Sequence, residues 1–242
     1  YLIANGLVQP DRVLGLTFTR KSANDLAIKV RKSLKTLEKS PEFQAAVRSG
    51  KLSSLTTAGE PTISTYHSYA HRVAQEHALR LGIEPPEQML GEAAAWQQVE
   101  RIVREYDGDM SQVSDALSSV VENVMRLVSQ LQENDANPDA LLDHALKFTE
   151  SISNKAPYRK SDKLAPTRDA EIVQYARAQL IPIIKEVIDY RRKRAQFTFD
   201  DQMALAAQVA TTFAEVGEIE RAKFHLVLLD EYQDTSSSQL RL

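Results

Sequence analysis

Three acidic residues follow an apolar run near the end of the sequence. In FHLVLLDEYQDTSS, residues 224–237, the hydrophobic stretch leads directly into Asp230 and Glu231, with Asp234 close behind. In open α/β sheets, ligands bind just beyond the carboxyl ends of the strands. An aspartate there can hold Mg²⁺ beside nucleotide phosphates, and a neighbouring glutamate can deprotonate an attacking water. The alternative is that Asp230 caps the next segment and Glu231 is merely solvated.

Strand patterns occur where such a sheet needs them. Two short runs rich in β-formers, residues 11–19 and 61–66, are each followed by a helical pattern. Ser22 and Asp25 fit a capping box at the start of the first of these helices. Strands that alternate with helices predict a parallel sheet covered on both faces. We therefore expect residues 226–229, which are apolar throughout, to form a central strand without a solvent-facing side.

The middle of the sequence, residues 86–196, has a helical pattern. Apolar residues recur at helical spacing, Pro138 is placed to open a helix, and Trp96 is expected to anchor the core of this block. The predicted organisation is an α/β domain formed by residues 1–85 and 197–242, interrupted by an all-helical insertion.

Composition excludes several classes of protein. The 242 residues include no cysteine and carry a net charge of −3, so disulfides and thiolate metal sites are excluded, and binding to phosphate backbones must come from local patches. No apolar run approaches the ~20 residues of a membrane-spanning helix, and the start lacks the pattern of a signal peptide. We expect a cytoplasmic protein that does not act at a membrane. The first residue is Tyr1 and not Met, so we expect a piece of a longer protein.

Four stretches of the sequence resemble, in order, the motifs of one enzyme family. LLDEYQDTSSSQ is similar to the DE-x-QD-T motif II of the UvrD/Rep/PcrA branch of superfamily 1 helicases, which includes RecB-like helicase–nuclease subunits. LGLTFTRKSANDL resembles motif Ia, ISTYHSYAHRV resembles motif Ib, and FTFDDQM resembles the segment that ends the family's helical insertion. Arg20 and Tyr66 stand where most of the family has Asn and Phe, which favours similarity to AdnAB-like helicase–nucleases.

The resemblance implies a RecA-like parallel sheet, as in P-loop NTPases, with an inserted all-helical subdomain. It implies an ATP-dependent DNA helicase of DNA repair or recombination that moves 3′ to 5′ and uses ATP and Mg²⁺. Asp230 would be the Walker B aspartate that ligates Mg²⁺ through water, and Glu231 would be the catalytic base. Gln233 and Asp234 would couple the nucleotide site to neighbouring motifs.

The resemblance also implies two contacts with single-stranded DNA. Phe18 would contact a base, and three neighbours would lie close to the backbone: Thr17, Thr19 and Lys21. The second contact would be formed by Tyr66, His67 and Ser68. Aromatic faces stack on any base, which suits a motor that moves along DNA. The alternative for Phe18 and Tyr66 is core packing at the strand ends.

A phosphate-binding loop is not found in these residues. The pattern G-x-x-x-x-G-K-[ST] cradles the phosphates, but the only Gly-Lys pair, Gly50-Lys51, is followed by Leu52 and has no matching upstream glycine. We therefore expect that the Walker A strand is lacking and that the isolated chain does not hydrolyse ATP at a DNA-stimulated rate.

The expected partners follow from the same resemblance. They are single-stranded DNA or a DNA duplex junction, a second motor domain of the same parent chain, and a helicase–nuclease partner subunit. Two alternatives stay open: a subunit of a helicase–nuclease that processes double-strand breaks, and a non-catalytic DNA-binding module.

Three further signals have competing interpretations. His67 and His71 are four residues apart but lack the glutamate of a zinc-protease helix, so metal binding is not expected. The basic run at residues 190–196 fits either a solvated helix end or a DNA-backbone contact. The acidic pair Asp200-Asp201 follows Thr198 and is expected to cap a helix and not to act in catalysis.

Overall fold

The computed structural model describes residues 1–52, 54, 59–85, 89–113, 116–153 and 165–242. The chain divides into two compact units. The first combines Tyr1–Leu81 with Leu205–Leu242, and the second is Gly82–Ala204. The boundaries predicted for the helical insertion, residues 86 and 196, stay predictions.

Among the described residues, three parallel strands form a sheet in the first unit. They are β1 (Val13–Thr17), β2 (Thr62–Thr65) and β3 (Leu226–Leu229), in the order β2-β1-β3. Every residue of β1 is buried, as expected of the middle strand. The predicted α/β fold with a parallel sheet is confirmed.

The position of β3 differs from the prediction that residues 226–229 form a central, fully covered strand. In the part of the chain that the structure describes, β3 pairs with β1 alone. Val227 and Leu228 are 49% and 55% exposed. The prediction was wrong because an apolar run indicates only a preference for burial, whereas the order of the strands decides which of them lies at an edge.

Helices follow the first two strands. They are α1 (Arg20–Glu38), α2 (Pro41–Arg48) and α3 (Tyr66–His77). The side chain of Thr19, and not the predicted Ser22, caps α1: Thr19 Oγ1 accepts a hydrogen bond from the Ser22 backbone N–H at 3.0 Å. The helix therefore begins earlier than the capping-box pattern predicts. No connecting residue separates β2 from α3, since the last strand residue, Thr65, is also the helix cap.

The second unit contains the helices α4 (Glu92–Glu105), α5 (Leu117–Glu133), α6 (Pro138–Ser153) and α7 (Ala165–Lys193). Apolar side chains of these helices form a core in which Val99, Val124 and Ile184 are fully buried. Trp96 is partly buried and packs against this core. Amphipathic helices bury their apolar stripes in this way because each stripe lies on one face.

The chain then returns to the first unit. The helix α8 (Phe199–Thr212) begins in the second unit and ends in the first. It is followed by α9 (Ala214–Lys223), by β3, and by the short helix α10 (Ser237–Arg241). Within the described ranges, none of the helices combines the length and the apolar character that a membrane crossing requires.

Candidate functional site

The register of the sheet brings the ends of all three strands together. Thr17 of β1 pairs with Thr65 of β2, and Leu16 of β1 pairs with Leu229 of β3. The backbone N–H of Asp230 donates to the Leu16 carbonyl at 2.9 Å, which extends the pairing one residue beyond β3. We call the shared end of the three parallel strands the carboxyl edge. Ligands of open α/β sheets bind at such an edge.

The acidic residues after β3 lie in a tight exposed turn at this edge. Asp230, Glu231 and Asp234 are all exposed. Glu231 has left-handed backbone angles, with φ 52° and ψ 44°, which are unfavourable for a residue with a side chain. The turn is closed by a hydrogen bond from Asp234 N–H to the Glu231 carbonyl at 2.9 Å, and the Gln233 amide donates to the Glu231 carboxylate. Exposed carboxylate oxygens in this arrangement are suitable ligands for a hard cation such as Mg²⁺.

A surface cleft of about 500 Å³ opens beside Asp230. Its floor includes Leu16 and Leu228 of the sheet, and its α1 side includes Asp25 and Lys29. A cleft of this size is in the range of small-molecule sites. It therefore places the Asp230 carboxylate next to a space that can hold a ligand.

Two helices begin at the carboxyl edge with the same kind of cap. Thr19 Oγ1 accepts from the Ser22 backbone N–H at 3.0 Å, and Thr65 Oγ1 accepts from the Ser68 backbone N–H at 3.1 Å. In both cases the serine hydroxyl also bonds to the threonine hydroxyl, at 2.8 and 2.9 Å. Helix N-termini favour anions such as phosphates. The exposed Lys21 adds a positive charge in the first turn of α1.

The aromatic residues predicted to contact DNA pack against each other. The ring centroids of Phe18 and Tyr66 are 5.0 Å apart and the planes are inclined by 50°. Phe18 is partly buried, whereas Tyr66 is only 1% exposed and Thr17 is fully buried. The Thr17 hydroxyl donates to the Thr19 carbonyl at 3.1 Å. Burial favours the packing alternative for Tyr66, and DNA contact stays a prediction for the whole set.

The remaining members of that set are accessible. Ser68 is exposed in the first turn of α3, and His67 beside it is partly buried. The carboxyl edge thus combines an acidic turn after β3 with polar helix starts after β1 and β2.

The second acidic pair has a structural role. The Thr198 N–H donates to Asp201 Oδ2 at 2.7 Å, and the Asp201 N–H donates to Thr198 Oγ1 at 3.2 Å, which is a reciprocal cap at the start of α8. Arg191 Nη1 donates to the same carboxylate oxygen at 3.1 Å, and both side chains are about 95% buried. The prediction that Asp201 caps a helix is confirmed. Asp200 accepts from the Ser129 hydroxyl at 2.6 Å.

Sequence reasoning missed a polar cluster centred on Glu220 of α9. Its carboxylate accepts hydrogen bonds from Tyr69 and Arg72 of α3. Two local ion pairs could be found from helical spacing: Arg72 with Glu76, and Glu220 with Lys223. The contact between Arg72 and Glu220 could not, because these residues are 148 positions apart in the sequence.

Comparison with known proteins identifies the family. Comparison with curated proteins gives no match. The family model of the UvrD/REP helicase N-terminal domain, however, matches residues 1–242. The resemblance of the four motifs is thereby confirmed at the level of the family, and the chain belongs to the UvrD/REP helicase N-terminal domain family.

Proposed function

We propose that this chain is part of an ATP-dependent DNA helicase. It would contain the Walker B carboxylates and two groups of residues that contact single-stranded DNA. The observation that carries the proposal is the placement of Asp230 and Glu231 after β3, at the carboxyl edge of a parallel sheet. Asp230 would hold Mg²⁺ through water beside the ATP phosphates. Glu231 would accept the proton of the attacking water, and Gln233 would hold the Glu231 carboxylate.

The DNA contact would lie on the neighbouring part of the same edge. Phe18 would stack on a base, while Thr19, Lys21 and Ser68 would contact the backbone near the two helix starts. His67 would join them. The buried Tyr66 would support Phe18 from within, and the buried Thr17 would hold the Thr19 carbonyl. ATP hydrolysis in a cleft shared with a second motor domain would then shift the hold on DNA. Movement from 3′ to 5′ and a role in repair or recombination belong to the same proposal.

DNA binding by this chain tests the proposal directly. Fluorescence anisotropy of a labelled oligo-dT strand, measured over a series of salt concentrations, gives the affinity and the salt slope. Lys21→Ala is expected to weaken binding and to reduce the slope by about 0.7, the value for one phosphate contact with a single strand. Lys32→Ala, an exposed lysine further along α1, is the matched control and should leave both unchanged. Equal slopes for the wild type and Lys21→Ala would contradict the proposed contact.

The catalytic part of the proposal is tested in the full-length protein, because the 242 residues contain no phosphate-binding loop pattern. Glu231→Gln is expected to lower DNA-stimulated ATP hydrolysis by roughly 10²- to 10⁴-fold while leaving nucleotide binding intact. Unchanged turnover would remove Glu231 from its role as the base. Intact DNA binding without any hydrolysis would favour a non-catalytic DNA-binding module.

A further inference from the structure

The Glu220 cluster joins α3 to α9 through several short polar contacts. Arg72 holds the Glu220 carboxylate with both arms of its guanidinium, at 2.7 and 3.4 Å. The Tyr69 hydroxyl donates to the same carboxylate at 2.9 Å, and Lys223 Nζ donates at 2.9 Å. Lys223 also bonds to Glu76 at 2.7 Å. Two carboxylates and two cations therefore neutralise each other in one place.

The cluster is partly removed from water, which strengthens it. The Glu220 side chain is only 13% exposed. Burial alone raises the pKa of its carboxyl, but hydrogen bonds from Arg72, Lys223 and Tyr69 outweigh burial and hold the pKa below its ordinary value. Burial and the Glu220 charge raise the pKa of the Tyr69 hydroxyl, which keeps it protonated as a donor. Arg72 also lies over two aromatic rings, at 4.9 Å from the Tyr69 centroid and 5.5 Å from that of Phe224.

A metal ion is a poorer explanation of the same group. Glu76, His77 and Glu220 place possible ligand atoms within 4.8 Å of one another. Both carboxylates, however, already bind the ammonium of Lys223. A metal ion would have to displace this cation and stand close to Arg72, so the contacts describe an ion-pair network and not a metal centre.

The network connects α3 with the helix that precedes β3. Tyr69 and Arg72 are on the first two turns of α3, which begins with the residues proposed to lie at the DNA contact. Glu220 and Lys223 are on the last turn of α9, and only Phe224 and His225 separate that helix from β3. The network thus ties the first two turns of α3 to the segment that leads into β3.

We infer that Glu220 is a positioning residue for single-stranded DNA binding, because its carboxylate holds the first turns of α3 in place through Tyr69 and Arg72. This inference rests on the proposed DNA contact at the start of α3. Glu220 itself touches no DNA in this arrangement. Loss of its charge would leave one neutral acceptor oxygen for the donors of Tyr69, Arg72 and Lys223, and α3 would shift or loosen at its N-terminus.

Glu220→Gln tests the inference, with Glu218→Gln as the matched control on the exposed side of α9. We expect Glu220→Gln to weaken oligo-dT binding by about 3- to 10-fold, the effect that residues remote from a ligand typically have. The salt slope should stay unchanged, because no phosphate contact is lost. Hydrogen exchange at the Ser68 amide, which bonds to Thr65 Oγ1 at 3.1 Å, should become faster. Glu218→Gln should match the wild type in all three measurements.

The outcomes separate this inference from the proposed function. Wild-type affinity and Ser68 exchange in a folded Glu220→Gln variant would overturn the inference, even if Lys21→Ala weakens binding. If Lys21→Ala has no effect, the proposed DNA contact itself fails. Circular dichroism shows whether Glu220→Gln is folded. Should it unfold, Lys223→Met, which removes a partly exposed member of the network, carries the test, with the same weaker binding expected and wild-type binding overturning the inference.

Discussion

Replacement of Arg191 by methionine is expected to destabilise the second unit by about 3 kcal/mol. Arg191 and Asp201 form an ion pair at 3.1 Å in which the two side chains are 4% and 5% exposed. Removing one partner of a buried pair leaves an uncompensated buried charge, which typically costs about 3–5 kcal/mol. Methionine fills the space of the aliphatic part of the arginine side chain. The decrease in the free energy of unfolding therefore reports mainly the unpaired charge and not a cavity.

The lower end of that range is expected because Asp201 keeps other donors. The Thr198 N–H and hydroxyl both lie 2.7 Å from its carboxylate, and the Gln132 amide donates to the other oxygen. The Gln98 amide oxygen also loses the hydrogen bond from Arg191 Nε–H at 2.9 Å, a cost that is part of the range for breaking a buried pair. In Arg191→Met/Asp201→Asn no buried charge is left, so this double variant should be more stable than Arg191→Met alone.

Urea unfolding followed by tryptophan fluorescence measures this effect in the second unit. Trp96 is the single tryptophan of the chain and packs against the core of that unit. With a urea slope of about 2 kcal/mol/M, the midpoint should fall by about 1.5 M. Lys193→Met, an exposed neighbour at the end of α7, is the control and should shift the midpoint little. If the free energy of unfolding of Arg191→Met falls by less than about 1 kcal/mol, the reasoning from the buried charge is refuted.

Three other changes have outcomes that follow from single residues. Ala195 has a φ of 49°, so Ala195→Gly should stabilise the second unit by about 0.5 kcal/mol by relieving left-handed strain, as measured by urea unfolding. The pKa of Glu220 lies below its ordinary value of 4.5, so its ion pairs stabilise the fold above that pH and are lost as the pH falls through the folded pKa. The difference in thermal stability between the wild type and Glu220→Gln should therefore shrink on acidification, and a constant difference would contradict this cause. Leu228 is 55% exposed on β3, and exposed strand edges favour strand addition by another copy. We therefore expect the wild type to self-associate at high concentration in gel filtration and Leu228→Lys to do so less, without a lower melting temperature.

Much of the fold could be predicted from the sequence because its signals are local. The alternation of strand and helix patterns indicated a parallel sheet, and apolar residues at helical spacing indicated the helices of the second unit. The start of α1 was misplaced because Thr19 and Ser22 are both suitable caps, and only the backbone decides between them. The order of the strands could not be predicted, because it depends on pairing between distant segments.

The candidate site shows the same division. Asp230 and Glu231 could be placed at a strand end from the apolar run that precedes them. The left-handed backbone of Glu231 could not, since a glutamate rarely adopts it and no glycine marks the turn. The bond between Tyr69 and Glu220 joins residues 151 positions apart, so it arises from tertiary packing and leaves no periodic signal.

The aromatic residues at the starts of α1 and α3 are held differently by the backbone. Phe18 lies on a two-residue connector between β1 and α1, whereas Tyr66 is the first residue of α3 and directly follows β2. Helical geometry holds the Tyr66 backbone, whereas Phe18 belongs to neither a strand nor a helix. The buried Tyr66 ring is therefore a fixed wall that limits the movement of the partly buried Phe18 side chain on one face.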